Sequence, residues 1–169
     1  MPKNPEFPGL RRRIASMTYE SLLLLGVLSV TFMIPHLVLG MAFNLTAPNW
    51  LIFLNFFTVI GTYFVWYWHK HGQTLAMQTW KMALVRADGG RPSLAQLIIR
   101  YVLAWAIPLA MIYIIRHLLA DMPHTLPRWY PYLGASVGLI WALFDRDRQF
   151  LHDRLAGTRT IFKHPETLP

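Results

Sequence analysis

The feature that most constrains this chain is the run of residues 21–40, which follows Glu20 and contains no Asp, Glu, Lys or Arg. About 20 consecutive apolar residues are what a helix needs to cross the hydrocarbon core of a bilayer. The run therefore predicts a membrane-spanning helix, with Arg11, Arg12, Arg13 and Glu20 threaded into its start. Arg13 and Glu20 are two helical turns apart and project from nearly the same face. An acid at the edge of a span is costly unless it is paired or lines a polar cavity. Glu20 is thus the first residue expected to carry a specific partner.

Composition agrees with that reading. The 169 residues are 54% hydrophobic and only 14% charged, and a mean hydropathy of +0.33 is high for a soluble domain. The apolar residues come in blocks rather than in helical stripes, as in a small polytopic membrane protein. Cysteine is absent, which excludes disulfides and thiolate metal sites. No other metal set and no cofactor are expected. A net charge of +8 in a soluble protein would suggest nucleic acid. Here the basic residues flank apolar blocks, which instead marks topology and contacts with anionic lipid headgroups.

The expected fold is an all-α polytopic membrane protein with four spans, at about residues 14–40, 50–68, 94–119 and 129–144. The lead of residues 1–9, with three prolines, and the long apolar run predict a retained signal-anchor rather than a cleaved signal peptide. Asn44-Leu45-Thr46 is a lone match to the glycosylation sequon and carries no weight in a bacterial protein. Trp50, Tyr63, Trp66, Tyr67 and Trp68 suit the membrane interface at the ends of the second span, and Asn55 within it predicts an interhelical hydrogen bond.

Residues 69–93 read as an interfacial segment. His69 and His71 are two ligands short of a metal site and are expected to be solvated. Residues 75–82 fit a short helix lying on the membrane surface. Asp88-Gly89 is a tight-turn signal after a strand-like run, and Ser93 an N-cap for the third span. Early in that span, Arg100 either snorkels to the interface or meets Glu20 or Asp153; Pro108 predicts a kink. The fourth span carries Gly134-x-x-x-Gly138, a spacing that allows close helix approach within the monomer or in a dimer. In the tail, residues 145–169, Thr158–Phe162 could form a small strand pairing with residues 82–86.

Short-loop arithmetic predicts the orientation. Arg and Lys crowd the N-terminal lead, the segment after the second span and the tail, the loop after the first span has none, and the loop after the third has only Arg116 and Arg128. The positive-inside rule then places both termini in the cytoplasm, in a bacterial cytoplasmic (inner) membrane.

Gly9-Leu10-Arg11-Arg12-Arg13-Ile14-Ala15 leading to an acid, Gly72-Gln73-Thr74-Leu75, Asp88-Gly89-Gly90 and above all Leu151-His152-Asp153-Arg154-Leu155-Ala156-Gly157-Thr158 resemble the RDD family of membrane proteins. That family is named for one arginine and two aspartates. The resemblance implies that Arg13 is the arginine, that Glu20 occupies the place of the first aspartate with one methylene more, and that Asp153 is the second. His152, Arg154, Gly157 and Thr158 complete the tail motif. Ala76-Met77-Gln78 departs from a Gly-Lys that relatives often carry. What the resemblance implies about role is divided, since some relatives are linked to monovalent cation/proton exchange and others are appendages of membrane complexes.

Two readings follow. In one, Arg13, Glu20, Arg100 and Asp153 form a membrane-edge network that serves structure or the assembly of a membrane complex, with a homo-oligomer or membrane-protein partner. In the other, the chain is a small oligomeric transporter in which Glu20 and Asp153 bind protons or cations. No acid sits deep within a span, where exchangers need one, which favours the first. An enzyme is not expected, because no nucleophile stands beside His152 and no phosphate loop is present.

Overall fold

The structure is a computed structural model, and it describes residues 7–44, 48–119, 127 and 129–163. The last two residues of the Asn44-Leu45-Thr46 sequon, residues 1–6, most of the loop with Pro123 and Arg128, and residues 164–169 lie outside the described residues. The element order is α1 (Leu10–Leu28), a π-helical turn (Ser29–Met33), α2 (Ile34–Phe43), α3 (Asn49–His71), α4 (Leu75–Thr79), β1 (Met82–Arg86), α5 (Leu94–Leu118), a 3-10 helix (Tyr130–Ser136), α6 (Val137–Phe144), α7 (Leu151–Leu155) and β2 (Thr158–Phe162).

Among the described residues three helices are long and apolar enough to cross a membrane: Leu10–Phe43, Asn49–His71 and Leu94–Leu118. The first starts earlier than the expected residue 14, so Arg11, Arg12 and Arg13 are helical rather than a flanking lead. It does not break at Pro35. A proline in a helix removes one i→i−4 hydrogen bond, and the π-helical turn just before it widens the ladder where that bond is missing. Asn55 is exposed and makes no interhelical hydrogen bond among the described residues, against the expectation for it.

The apolar segment Tyr130–Phe144 is shorter and is not one α-helix. Its first half is 3-10, which rises ~2.0 Å per residue against ~1.5 Å in an α-helix, so its few residues reach further. Arg116, counted with the loop after the third span in the charge arithmetic, lies with His117 in the last turn of α5, inside the expected span of about 94–119.

The interfacial helix is also corrected. It ends at Thr79, and Met82 belongs to β1. Its buried residues are Ala76 and Met77, while Leu75 is exposed, so it packs downward onto the helices. After β1, Gly89 at φ +94° supplies the left-handed conformation that a tight turn needs, and its N–H donates to the Arg86 carbonyl at 2.9 Å. The turn does not lead to a neighbouring strand. Instead β1 pairs antiparallel with β2 from the tail, Met82 opposite Phe162 and Arg86 opposite Thr158. Ser93 caps α5 in a reciprocal box with Gln96.

On the three long helices most buried residues lie toward one end: Arg13, Ser16 and Glu20 on α1, Trp68 on α3 with Ile60 and Gly61 at mid-helix, and Leu97, Arg100 and Tyr101 on α5, with none in the π-turn or α2. Ile60, Trp68, Met77, Met82, Leu84, Leu97 and Tyr101 make one cluster that joins helices and strands. Gly61 permits the α3–α5 approach, since a Cβ there would lie 2.8 Å from the Tyr101 ring. The strand pair is therefore a cap joined to the helices through the apolar side of β1.

Candidate charge network at the membrane edge

The tail reaches the helices through Asp153. It lies at the start of α7, and its residue is 0% exposed. A buried carboxylate needs compensation by charge and hydrogen bonds. Arg100 of α5 supplies both: its Nε donates to Asp153 Oδ1 at 2.6 Å. The Arg100 guanidinium lies over the Trp68 ring, 4.1 Å from its centroid, a geometry that attracts a cation to the aromatic face. Trp68, read from sequence as an interfacial anchor, is thus the floor beneath Arg100.

Arg13, 2% exposed, approaches from α1. Its Nη1 is 3.8 Å from Asp153 Oδ2, close enough for Coulombic attraction and too far for a hydrogen bond. Its Nη2 donates instead to Gln149 Oε1 at 2.8 Å and to the Thr160 carbonyl at 3.0 Å, and its guanidinium stands over Phe150 at 5.3 Å. Gln149 is the hub of this contact. Its Oε1 also accepts from the Thr160 N–H at 2.9 Å, and its Nε2 donates to the carbonyls of Asp147 and Thr160. A neutral amide in a polar tail carries no sequence signal for such a role, and Gln149 was missed for that reason.

The rest of the tail motif holds Asp153 in place. The Thr158 hydroxyl donates to the Asp153 carbonyl at 3.3 Å. Gly157 turns the chain into β2 at φ +66°, and its carbonyl accepts from the Ala87 N–H at 2.8 Å. Arg154 faces away and grips Asp145, at 2.9 and 3.1 Å, and Asp147, at 2.7 Å, which closes the turn that leads into α7. His152 Nε2 lies 3.6 Å from Asp153 Oδ1. Burial pulls the imidazole down to about 4 against the opposing pull of Asp153, with Arg100 and Arg13 lowering it further, so His152 is neutral at pH 7. Burial by itself would raise the Asp153 carboxyl, yet Arg100, His152 and Arg13 together hold it below its ordinary value. Two guanidiniums therefore face one carboxylate.

Glu20 is not part of this network. It is 6% exposed and meets neither Arg13 nor Arg100. Both carboxylate oxygens are taken by hydroxyls, one by Tyr63 of α3 and the other by Thr74. Thr74 is also the N-cap of α4, its oxygen accepting from the Met77 N–H at 3.2 Å. A Thr directly before a short helical run is an N-cap signal; nothing local links it to a carboxylate 54 residues earlier. The expectation of a partner for Glu20 is met by neutral donors rather than by a cation.

The Gly134-x-x-x-Gly138 pair divides. A Cβ on Gly134 would lie 2.7 Å from the α5 backbone at Met111 and Ile112, whereas nothing stands within 4 Å of one on Gly138. The reason is helical pitch: Gly134 lies in the 3-10 segment and Gly138 in α6, so the four-residue spacing no longer returns to one face. His69 and His71 are exposed at the end of α3, and no cluster of three or more metal-ligating side chains occurs among the described residues.

A protein of Rickettsia prowazekii (strain Madrid E), itself described only as uncharacterized, is 31% identical over 114 residues. That alignment covers 67% of this chain and 50% of the relative, so the chain spans about half the length of the curated relative it matches. No solved structure matches. The RDD family matches residues 7–157, a stretch that holds Arg13, Glu20, Arg100 and Asp153 together, and the chain belongs to the RDD family.

Proposed function

We propose that this chain is a structural or assembly module of a bacterial inner membrane, four spans with both termini in the cytoplasm. In this reading Arg13, Arg100 and Asp153 fasten the cytoplasmic strand pair and tail to the helix bundle. The observation that carries it is the complete burial of Asp153 against Arg100 at 2.6 Å, because a carboxylate enclosed in that way and held below its ordinary pKa stays ionised and paired at neutral pH and presents no face to water. Tyr130–Phe144 is the fourth span, aided by the longer rise of its 3-10 half. The basic residues that follow α3 and α6 set the orientation. Partners are anionic lipid headgroups at the cytoplasmic face and a second copy or another membrane protein along the apolar flanks; nucleic acid, cofactor and catalysis have no place in it.

The test compares wild type with Asp153→Asn and Glu20→Gln in detergent and in proteoliposomes. The expected result is no proton flux driven by sodium, lithium or potassium in any sample, with Asp153→Asn lowering the thermal midpoint. Cation-driven flux in wild type that disappears in a well-folded Glu20→Gln variant would instead make the chain an exchanger.

A further inference from the structure

Outside the Asp153 network, a cavity of about 540 Å³ opens where α1 begins and α6 ends. Among the described residues three arginines line it, Arg11, Arg12 and Arg148, together with apolar Leu10, Ala142 and Leu143, and no acid does. Among the described residues none of the three arginines pairs with a carboxylate. The acids nearest Arg148 in sequence, Asp145 and Asp147, are both taken by Arg154. Arg148 adopts φ +54°, an uncommon conformation for a residue other than glycine, and its guanidinium lies beside Gly9, 3.9 Å from where a Cβ would stand. Arg12 is steadied over the Phe162 ring at 5.0 Å.

In the membrane placement proposed above, the cavity lies at the membrane boundary. Leu143 and Phe144 on its α6 side are 65% and 83% exposed, as lipid-facing side chains are, and the polar tail begins at the very next residue, Asp145. Its floor is apolar and its rim triply cationic, so its occupant must carry a compact anion on a hydrocarbon body. We propose that this cavity binds one anionic glycerophospholipid, the phosphate among Arg11, Arg12 and Arg148 and the upper acyl chain against Leu10, Ala142 and Leu143. Guanidinium groups suit a phosphate through parallel N–H donors. The proposal rests on the membrane placement above and is independent of the fastening role of Asp153.

The experiment is native mass spectrometry of the full chain in detergent, titrated with phosphatidylglycerol, phosphatidylcholine or inorganic phosphate. Wild type is expected to retain one phosphatidylglycerol saturably, and phosphatidylcholine and phosphate much more weakly. Arg148→Gln, and separately Arg11→Gln, are expected to weaken phosphatidylglycerol about fivefold each, the factor for one basic side chain at an anionic lipid surface. Arg146→Gln removes an exposed charge that does not line the cavity and is expected to leave binding unchanged. Equal weakening by Arg146→Gln would reduce the effect to diffuse surface charge and overturn the site. Retention of phosphatidylcholine or phosphate as tightly as phosphatidylglycerol would overturn the occupant. Elution and thermal midpoint of each variant separate lost binding from lost folding, and a failed Asp153 test leaves this one standing.

Discussion

Arg13 and Glu20 lie on one buried face of α1, two turns apart, and serve different neighbours. Arg13 reaches the tail through Gln149, Thr160 and Asp153, whereas Glu20 reaches α3 and the cap through Tyr63 and Thr74. One helix face thus clamps both polar segments, each by a chemistry suited to its partner.

The Arg100–Asp153 contact is testable by a double-mutant cycle. Asp153→Asn leaves two buried guanidiniums without their carboxylate, and the expected cost is about 3–5 kcal/mol, as for other broken buried pairs. Arg100→Met should cost a similar amount. The double variant should cost less than the sum, with a coupling of about 2 kcal/mol between the two sites, read from unfolding in detergent. Simple additivity would mean that the contact does not couple them.

His152 gives the cap a pH dependence. Its pKa in the fold is about 4 and near 6.5 in an unfolded chain. Between those values the unfolded chain binds the extra proton, so stability is full above pH ~6.5 and falls as pH drops toward 4, by up to roughly 3 kcal/mol. His152→Gln should flatten thermal midpoints across that window. The Asp153 contribution is lost only at still lower pH, because its carboxyl is held below the ordinary value.

For Glu20, Tyr63→Phe or Thr74→Val removes one charge-assisted hydrogen bond, at an expected cost of about 1.5–3 kcal/mol. Thr74→Val should cost more, because it also uncaps α4. Glu20→Asp draws the carboxylate back by one methylene and cannot satisfy both hydroxyls from the same backbone position. Thermal midpoints of the three variants rank these effects; identical midpoints would show that the hydroxyl contacts contribute nothing.

The two glycines near the fourth apolar segment should behave oppositely. Gly134→Ala places a methyl against the α5 backbone, an overpacking expected to cost about 1–3 kcal/mol. Gly138→Ala meets open space within a helix and should be neutral or stabilising by up to about 1 kcal/mol. Matching losses from both would mean that Gly138 also packs against a neighbour.

The membrane class, the long apolar helices, the Ser93 cap and the candidates Arg13, Glu20, Arg100 and Asp153 were legible in the sequence. Each is written in local terms: a charge-free run, a Ser before a helix, or an ion placed where an ion is costly. Hydropathy blocks and motif spacing act within one segment, and reading them requires no knowledge of what lies across space. Partner choice was decided only by tertiary structure. Glu20 was expected to meet an arginine and meets two hydroxyls, Gln149 carries the Arg13 contact without a sequence signature, and Gly138 lost its neighbour because a 3-10 turn changed the pitch before it. The physical reason is that a buried charge demands compensation of a given kind but not from a given residue. Which cation, hydroxyl or amide provides it depends on how α1, α3, α5 and the tail converge at one end of the bundle.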